Sequence, residues 1–326
     1  MSKSVGSGHI AGLVLGAGAV ALLVGVSLVN VQNHDDAQVR AEQSASPSPN
    51  TPSESPTPFA SPEGDDEEVD SALERIEDGG TVRIGMPQRE PYSLDLESAP
   101  RGFFPELADE VFTELGAGEI ELVERSLAHS PDHINTDDLD ILVIPNELHT
   151  ACEDTQPGNP VTENLGSFLV EARTPQGIVD FSDFDDGDLI TGISRSPGDA
   201  AHVEVDREQA VRAPIDEAPE MLAEGEIDGY AEESVRLRWW LSDQAEDEQL
   251  DNADSMETTD PFPRSPRSYS GFTFPTDEGD LRRAVNEVVD DMRADGRLAE
   301  IGEPWGFTHA ELSPEAQTAD EVCDLE

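Results

Sequence analysis

From about residue 71 onward, short apolar runs alternate with stretches in which apolar residues recur every three or four positions. This is the pattern of strands interleaved with helices. TVRIGM (81–86), IELVE (120–124), LDILVIP (139–145), SFLVEA (167–172), LITGI (189–193), IDGYA (227–231) and YSGFTF (269–274) predict strands. LDILVIP is apolar enough to be buried on both faces. Phe104, Leu107, Val111, Phe112 and Leu115 lie at helical spacing up to Gly116. Leu281, Val285, Val288, Val289 and Met292 mark a second helix, which Gly296 stops. An acidic helix through Met221 and Leu222 and another carrying Trp239 and Trp240 complete an α/β reading, and such a length suits two lobes better than one.

The first 70 residues read differently. Ala11 to Val31 carry no charge, and at about 1.5 Å per residue they span roughly 32 Å, enough for a hydrocarbon core of about 30 Å. Lys3 precedes this run while Asp35 and Asp36 follow it, so residues 1–10 are expected inside the cell and the bulk of the chain outside. The alternative is a cleaved signal peptide, although no small-x-small site closely follows the run. Residues 32–70, with SASPSPNTPSESPTP and then EGDDEEVD, read as an extended, disordered stalk. The expected location is the cell membrane, with one pass and an extracellular C-terminal domain.

Charge narrows the partners. The 326 residues hold 72 Asp and Glu against 19 Lys and Arg, a formal net charge of −53. Nucleic acids and acidic membranes are excluded as default partners. Lys3 is the single lysine, and the other basic residues are arginines. Self-repulsion on this scale destabilises a compact state in dilute buffer, whereas at about 1 M salt the Debye length falls to roughly 3 Å. The composition therefore predicts a halophilic protein.

Several segments resemble the extracytoplasmic solute-binding proteins of the amino-acid type, which feed ABC importers. TVRIGMPQREPYS is similar to the family's first strand and the loop that carries an aromatic over the ligand; GFFPELADEVFTELG is similar to its first helix. LRRAVNEVVDDMRADGRLAEIGEPWGF resembles its closing helix pair and turn. The tail from Ser313 to Cys323 and the position of Cys152 narrow the resemblance to the ectoine- and hydroxyectoine-binding subunits. The resemblance implies a two-lobed type II periplasmic-binding-protein fold with two crossovers, residues 71–173 and 262–326 forming lobe 1 and 174–261 forming lobe 2. It also implies a small-molecule solute, ABC permease subunits as partners, no enzymatic activity and no cofactor. Cys152 and Cys323 match cysteines of the ectoine-binding relatives, so a disulfide is expected.

By the same resemblance, Tyr92 is the ligand-stacking aromatic, Phe103 or Phe104 a further wall, and Glu233, which follows Asp228, the carboxylate for a cationic group. Tyr92 also reads as a half-buried loop tyrosine, and Glu233 as an acid in the first turn of a helix. The carboxylate-receiving side departs from the family. Ala151 stands where relatives carry arginine, Leu127 replaces an aromatic, and Ser196, Pro197, Gly198 and Asp199 replace a Gly-Thr turn that offers free amides. Arg195 is the candidate substitute. These departures leave open a second function, a degenerate binding fold serving as an extracellular sensor or assembly partner.

Metal and catalytic signals are weak. His129 and His133 lie at helical spacing but flank Pro131, and the acids Asp183, Asp185, Asp186 and Asp188 lack the glycine and terminal glutamate of a calcium loop. The sequence carries no nucleophile elbow or phosphate-binding loop.

Overall fold

The computed structural model describes residues 71–126, 134, 139–172, 177–184, 189–194, 210–246, 255–264 and 266–325. The expected anchor, the stalk, His129, His133, Leu127, Arg195 and the turn Ser196–Asp199 lie outside them. Among the described residues no helix is long and apolar enough to cross a membrane.

Two mixed sheets carry the fold. The first contains β1 (Thr81–Met86), β2 (Glu119–Glu124), β3 (Ile141–Ile144), β4 (Gln156–Pro157), β5 (Thr162–Glu163) and β11 (Tyr269–Phe274), with β2-β1-β3-β11-β4 as its order and β5 pairing with β11. β1 runs parallel to β2 and β3, and β11 antiparallel to β3. The second sheet has the order β10-β6-β9-β7-β8, formed by β6 (Gly166–Glu171), β7 (Thr191–Ile193), β8 (Val211–Arg212), β9 (Gly229–Glu233) and β10 (Met256–Thr258). β7 is parallel to both β8 and β9, whereas β6 is antiparallel to β9 and β10. The chain passes between the sheets after β5 and again after β10, so β6 joins the second sheet upstream of residue 174.

α1 (Ala72–Glu77) precedes β1, and α2 (Phe103–Glu114) follows it. α3 (Ala218–Glu224) and α4 (Ser234–Glu246) flank β9, while α5 (Gly279–Asp295) follows β11. α2 buries Phe103, Phe104, Leu107, Ala108, Val111 and Phe112, and α5 buries Leu281, Val285, Val288, Val289 and Met292. These two stripes meet Val82, Ile84, Ile141 and Val143 in the core of the first sheet. All four residues of β3 are buried, as the uninterrupted apolar run predicts. The strands that sequence periodicity missed, β4, β5, β8 and β10, are only two or three residues long, too short to show alternation.

α4 ties the second sheet to the end of the chain. Val235 belongs to the first core and Leu237 and Trp240 to the second, while Trp239 packs against both. Gly306, at φ 82°, lets the Trp305–Phe307 turn lie on this helix; a Cβ there would sit 2.8 Å from the Val235 carbonyl oxygen. Arg238 Nε donates to the Gly306 carbonyl at 2.7 Å, and its guanidinium pairs with the fully buried Glu311 at 2.5 Å.

The expected disulfide is present. Cys152 and Cys323 are bonded with Cα atoms 5.8 Å apart. Nearby, Arg267 bridges Glu163 at 2.5 Å and Glu315 at 2.6 Å, a second tie between the tail and the first sheet.

Candidate functional site

Pro87 to Tyr92 leave the carboxyl end of β1, where the chain turns back toward α2. The turn is fixed by backbone. Phe103 N donates to the Pro91 carbonyl at 3.2 Å and Phe104 N to the Tyr92 carbonyl at 2.9 Å. Gly102, at φ 121°, permits this approach, since a Cβ would lie 2.8 Å from the Tyr92 carbonyl oxygen. Tyr92 is thereby fully buried, with its ring against Phe104 at 6.2 Å and Phe307 at 5.5 Å.

The Tyr92 hydroxyl lies 2.9 Å from Glu233 Oε1 and 3.0 Å from Asn164 Oδ1. Both are acceptors, so the single phenolic proton is shared between them. Burial, reinforced by the Glu233 carboxylate, raises the Tyr92 pKa well above the ordinary tyrosine value. Asn164 follows β5 in the first crossover. Its amide donates to Asn146 Oδ1 at 2.9 Å and Ser268 Oγ at 3.2 Å, and its Oδ1 also accepts from Ser270 at 2.8 Å.

Glu233 ends β9 with its side chain 1% exposed. Arg89 reaches it at 3.2 Å and Arg264, in the second crossover, at 3.7 Å. Two guanidiniums and a phenol therefore converge on one desolvated carboxylate, and the charge of Glu233 is answered from within the chain. The arginine missing at Ala151 is thus not the end of guanidinium chemistry here. Ala151 itself is buried in a 3₁₀ turn against Leu142, Ile144 and Tyr269.

A cavity of about 370 Å³ lies beside this network, lined by Glu90, Ser194, Pro214, Ile215, Asp216, Tyr230, Glu232, Arg236, Trp239 and Trp240. Ser194 follows β7, Pro214 and Asp216 follow β8, and Glu232 is near the end of β9. The cavity thus opens at the carboxyl ends of three parallel strands, where ligands of open α/β sheets bind. Glu90 faces it from the loop after β1. A larger groove of about 460 Å³ lies on the flank of the first sheet, over Ile120 and Leu122 of the outer strand β2.

Of the residues singled out in the sequence, Tyr92 and Glu233 meet directly. Phe103 and Phe104 are fully buried in the first core, stacking on Phe307 and meeting Phe272, and do not line the cavity. Arg89, Arg264, Asn164 and the α4 tryptophans were not assigned site roles from sequence. Their positions far apart along the chain gave no local signal. No cluster of metal-ligating side chains occurs among the described residues.

The model of the bacterial extracellular solute-binding proteins, family 3, matches residues 82–309. The chain belongs to this family. Among the solved structures that share its fold are these three. A crystal structure of EhuB in complex with hydroxyectoine is 19% identical, with a TM-score of 0.51, covering 78% of this chain and 98% of that one. An ancestral cationic amino acid solute-binding protein is 20% identical, with a TM-score of 0.58 and coverage of 73% and 100%. The L-cystine solute receptor of Neisseria gonorrhoeae, unliganded and open, is 16% identical, with a TM-score of 0.58 and coverage of 74% and 98%. No curated protein matches the chain in sequence. The family expectation and the two-sheet α/β fold drawn from the first strand, first helix and closing helices stand on these matches.

Proposed function

We propose that the chain is a membrane-tethered extracellular solute-binding protein that captures a small zwitterionic or cationic solute, an ectoine-like compatible solute or an amino acid, and delivers it to the permease subunits of an ABC importer. The observation that carries this reading is the cavity of about 370 Å³ at the carboxyl ends of β7, β8 and β9, faced by Glu90 from the loop after β1. Its size is that of a small-ligand pocket, and its walls combine aromatic surface with a few charged groups. The family membership supports the transport context, and the hydroxyectoine and cationic amino acid named for two of the structural relatives support the solute class. The anchor at residues 11–31 and the stalk at 32–70 are the means of tethering in this reading. Binding by closure of two lobes requires no catalytic group.

The test is the unfolding midpoint of the full-length protein in detergent and molar salt, measured with ectoine, glycine betaine, choline, a polyamine and several amino acids. A ligand at about one hundred times its dissociation constant stabilises the folded state by about 2.7 kcal/mol, a readily visible shift. At least one member of the panel is expected to raise the midpoint, and silence across the panel contradicts the reading.

A second reading, a sensor or assembly partner without a transported ligand, is favoured by one observation. Glu233, the carboxylate that the resemblance assigns to a cationic group, is already engaged by Arg89 and Arg264. Silence across the panel is its expected result.

A further inference from the structure

We infer that the cavity beside Glu232 is a subsite for a compact organic cation, an alkylated ammonium group, and that Glu90, Asp216 and the aromatic residues of β9 and α4 recognise it in place of Tyr92 and Glu233. The inference rests on the solute-binding reading above and names the ligand class of the same site.

Charge gives the sign. Among the described residues, the lining holds three carboxylates, Glu90, Asp216 and Glu232, and one guanidinium, that of Arg236. Arg236 pairs with Glu232 at 3.3 Å, and Glu90 and Asp216 add two further carboxylates to the described lining. Glu233, by contrast, meets two arginines of its own chain, and a further cation placed there would face their like charge. The carboxylates suited to a bound cation are those of the cavity.

The walls define what kind of cation. Tyr230, Trp239 and Trp240 line the cavity together with Pro214 and Ile215. The polar ends of two of these rings are committed to the protein: Tyr230 donates its hydroxyl to the Ala213 carbonyl at 3.0 Å, and Trp240 Nε1 donates to Asp216 Oδ1 at 3.1 Å. At these two rings a ligand therefore meets ring carbon rather than indole N–H or phenol. Trp239 is wedged between both cores, so its position is set before any ligand arrives. Aromatic rings attract cations most strongly when the cation is poorly hydrated, which favours a methylated ammonium over sodium or a bare amine. In a saline medium this distinction matters, because sodium screens the carboxylates but cannot reproduce the contact with the rings.

Choline and 3,3-dimethylbutan-1-ol, its uncharged carbon isostere, separate charge from shape. Tryptophan fluorescence of the full-length protein in detergent and molar sodium chloride is titrated with each, and calorimetry confirms the stoichiometry. Choline is expected to bind saturably at one site, and the isostere at least about tenfold more weakly. Glu90 is exposed, so Glu90→Gln leaves folding intact and is expected to weaken choline about threefold or more; Asp216→Asn is expected to do the same. Trp239→Leu is expected to weaken it about tenfold, with partial recovery in Trp239→Phe. Equal binding of choline and its isostere, or choline binding untouched by these substitutions, overturns the inference. Binding of an amino acid or zwitterion in the absence of choline binding also overturns it while leaving the solute-binding reading standing. No response to any solute overturns both.

Discussion

Tyr92 and Glu233 are 141 positions apart in sequence, yet the tyrosine hydroxyl lies 2.9 Å from the glutamate Oε1. The contact joins the loop after the first strand of one sheet to the last residue of a strand in the other. With Arg89 and Arg264 it forms a buried charged seam, so the sheets are joined by polar side chains as well as by the two crossovers.

Breaking that seam on one side should be costly. Arg89→Ala removes one cation from a carboxylate that is almost wholly buried, and a loss of about 3 kcal/mol is expected. Glu233→Gln should cost a similar amount, and the pair together much less than the sum. A double-mutant cycle by chemical denaturation in high salt checks this; additive losses would show that the two side chains are not coupled.

Glu311 should make stability depend on pH. Burial alone would raise its pKa, but the Arg238 guanidinium and the Ser234 and Thr308 hydroxyls bring it below the ordinary carboxylate value. A carboxylate lowered in the folded state contributes stability above its unfolded pKa of about 4.3, and loses it as pH falls through the folded pKa. The stability advantage of wild type over Glu311→Gln is therefore expected to be full at neutral pH and to shrink below about pH 4. The difference between the two proteins is the quantity to measure, because protonating the many surface acids relieves repulsion in both. A difference constant from pH 7 to pH 3 would contradict the assignment.

The disulfide closes a loop of 171 residues and pins the tail beneath the first sheet. Chain entropy gives about 5 kcal/mol as the upper end of its effect on stability. Reduction without denaturant should lower the unfolding midpoint strongly. Two thiols titratable in the oxidised, folded protein would contradict the pairing.

Salt should act across the whole molecule. With a net charge of −53, repulsion extends over roughly 30 Å at 0.01 M salt and only about 3 Å at 1 M. The unfolding midpoint is expected to rise steadily across that range. A midpoint independent of salt would show that the acids are balanced locally rather than screened.

Much of the fold was legible because its elements are long and periodic. Phe104 to Leu115 and Leu281 to Met292 each place an apolar stripe on a helix, and those stripes build the first core. The cysteine pair was legible through the resemblance. The site was legible only in part. The resemblance points to Tyr92 and Glu233, and the structure joins them to each other. Arg89 and Arg264 carry no sequence mark of their role, since their shared partner is set by how two sheets meet. The tryptophans of α4 read as helix residues. Their place beside a cavity follows from β7, β8 and β9 ending on the same side, which no local pattern encodes.

The central claim, that a solute occupies the cavity at the ends of β7, β8 and β9, is tested most directly by blocking it. Ser194→Trp places an indole in that cavity from the end of β7. Calorimetric titration of the full-length protein, with the solute that most raises the wild-type unfolding midpoint, should give one site in wild type and none in Ser194→Trp, whose own midpoint without ligand stays unchanged. Undiminished binding by Ser194→Trp would contradict the account and move the solute elsewhere on the protein.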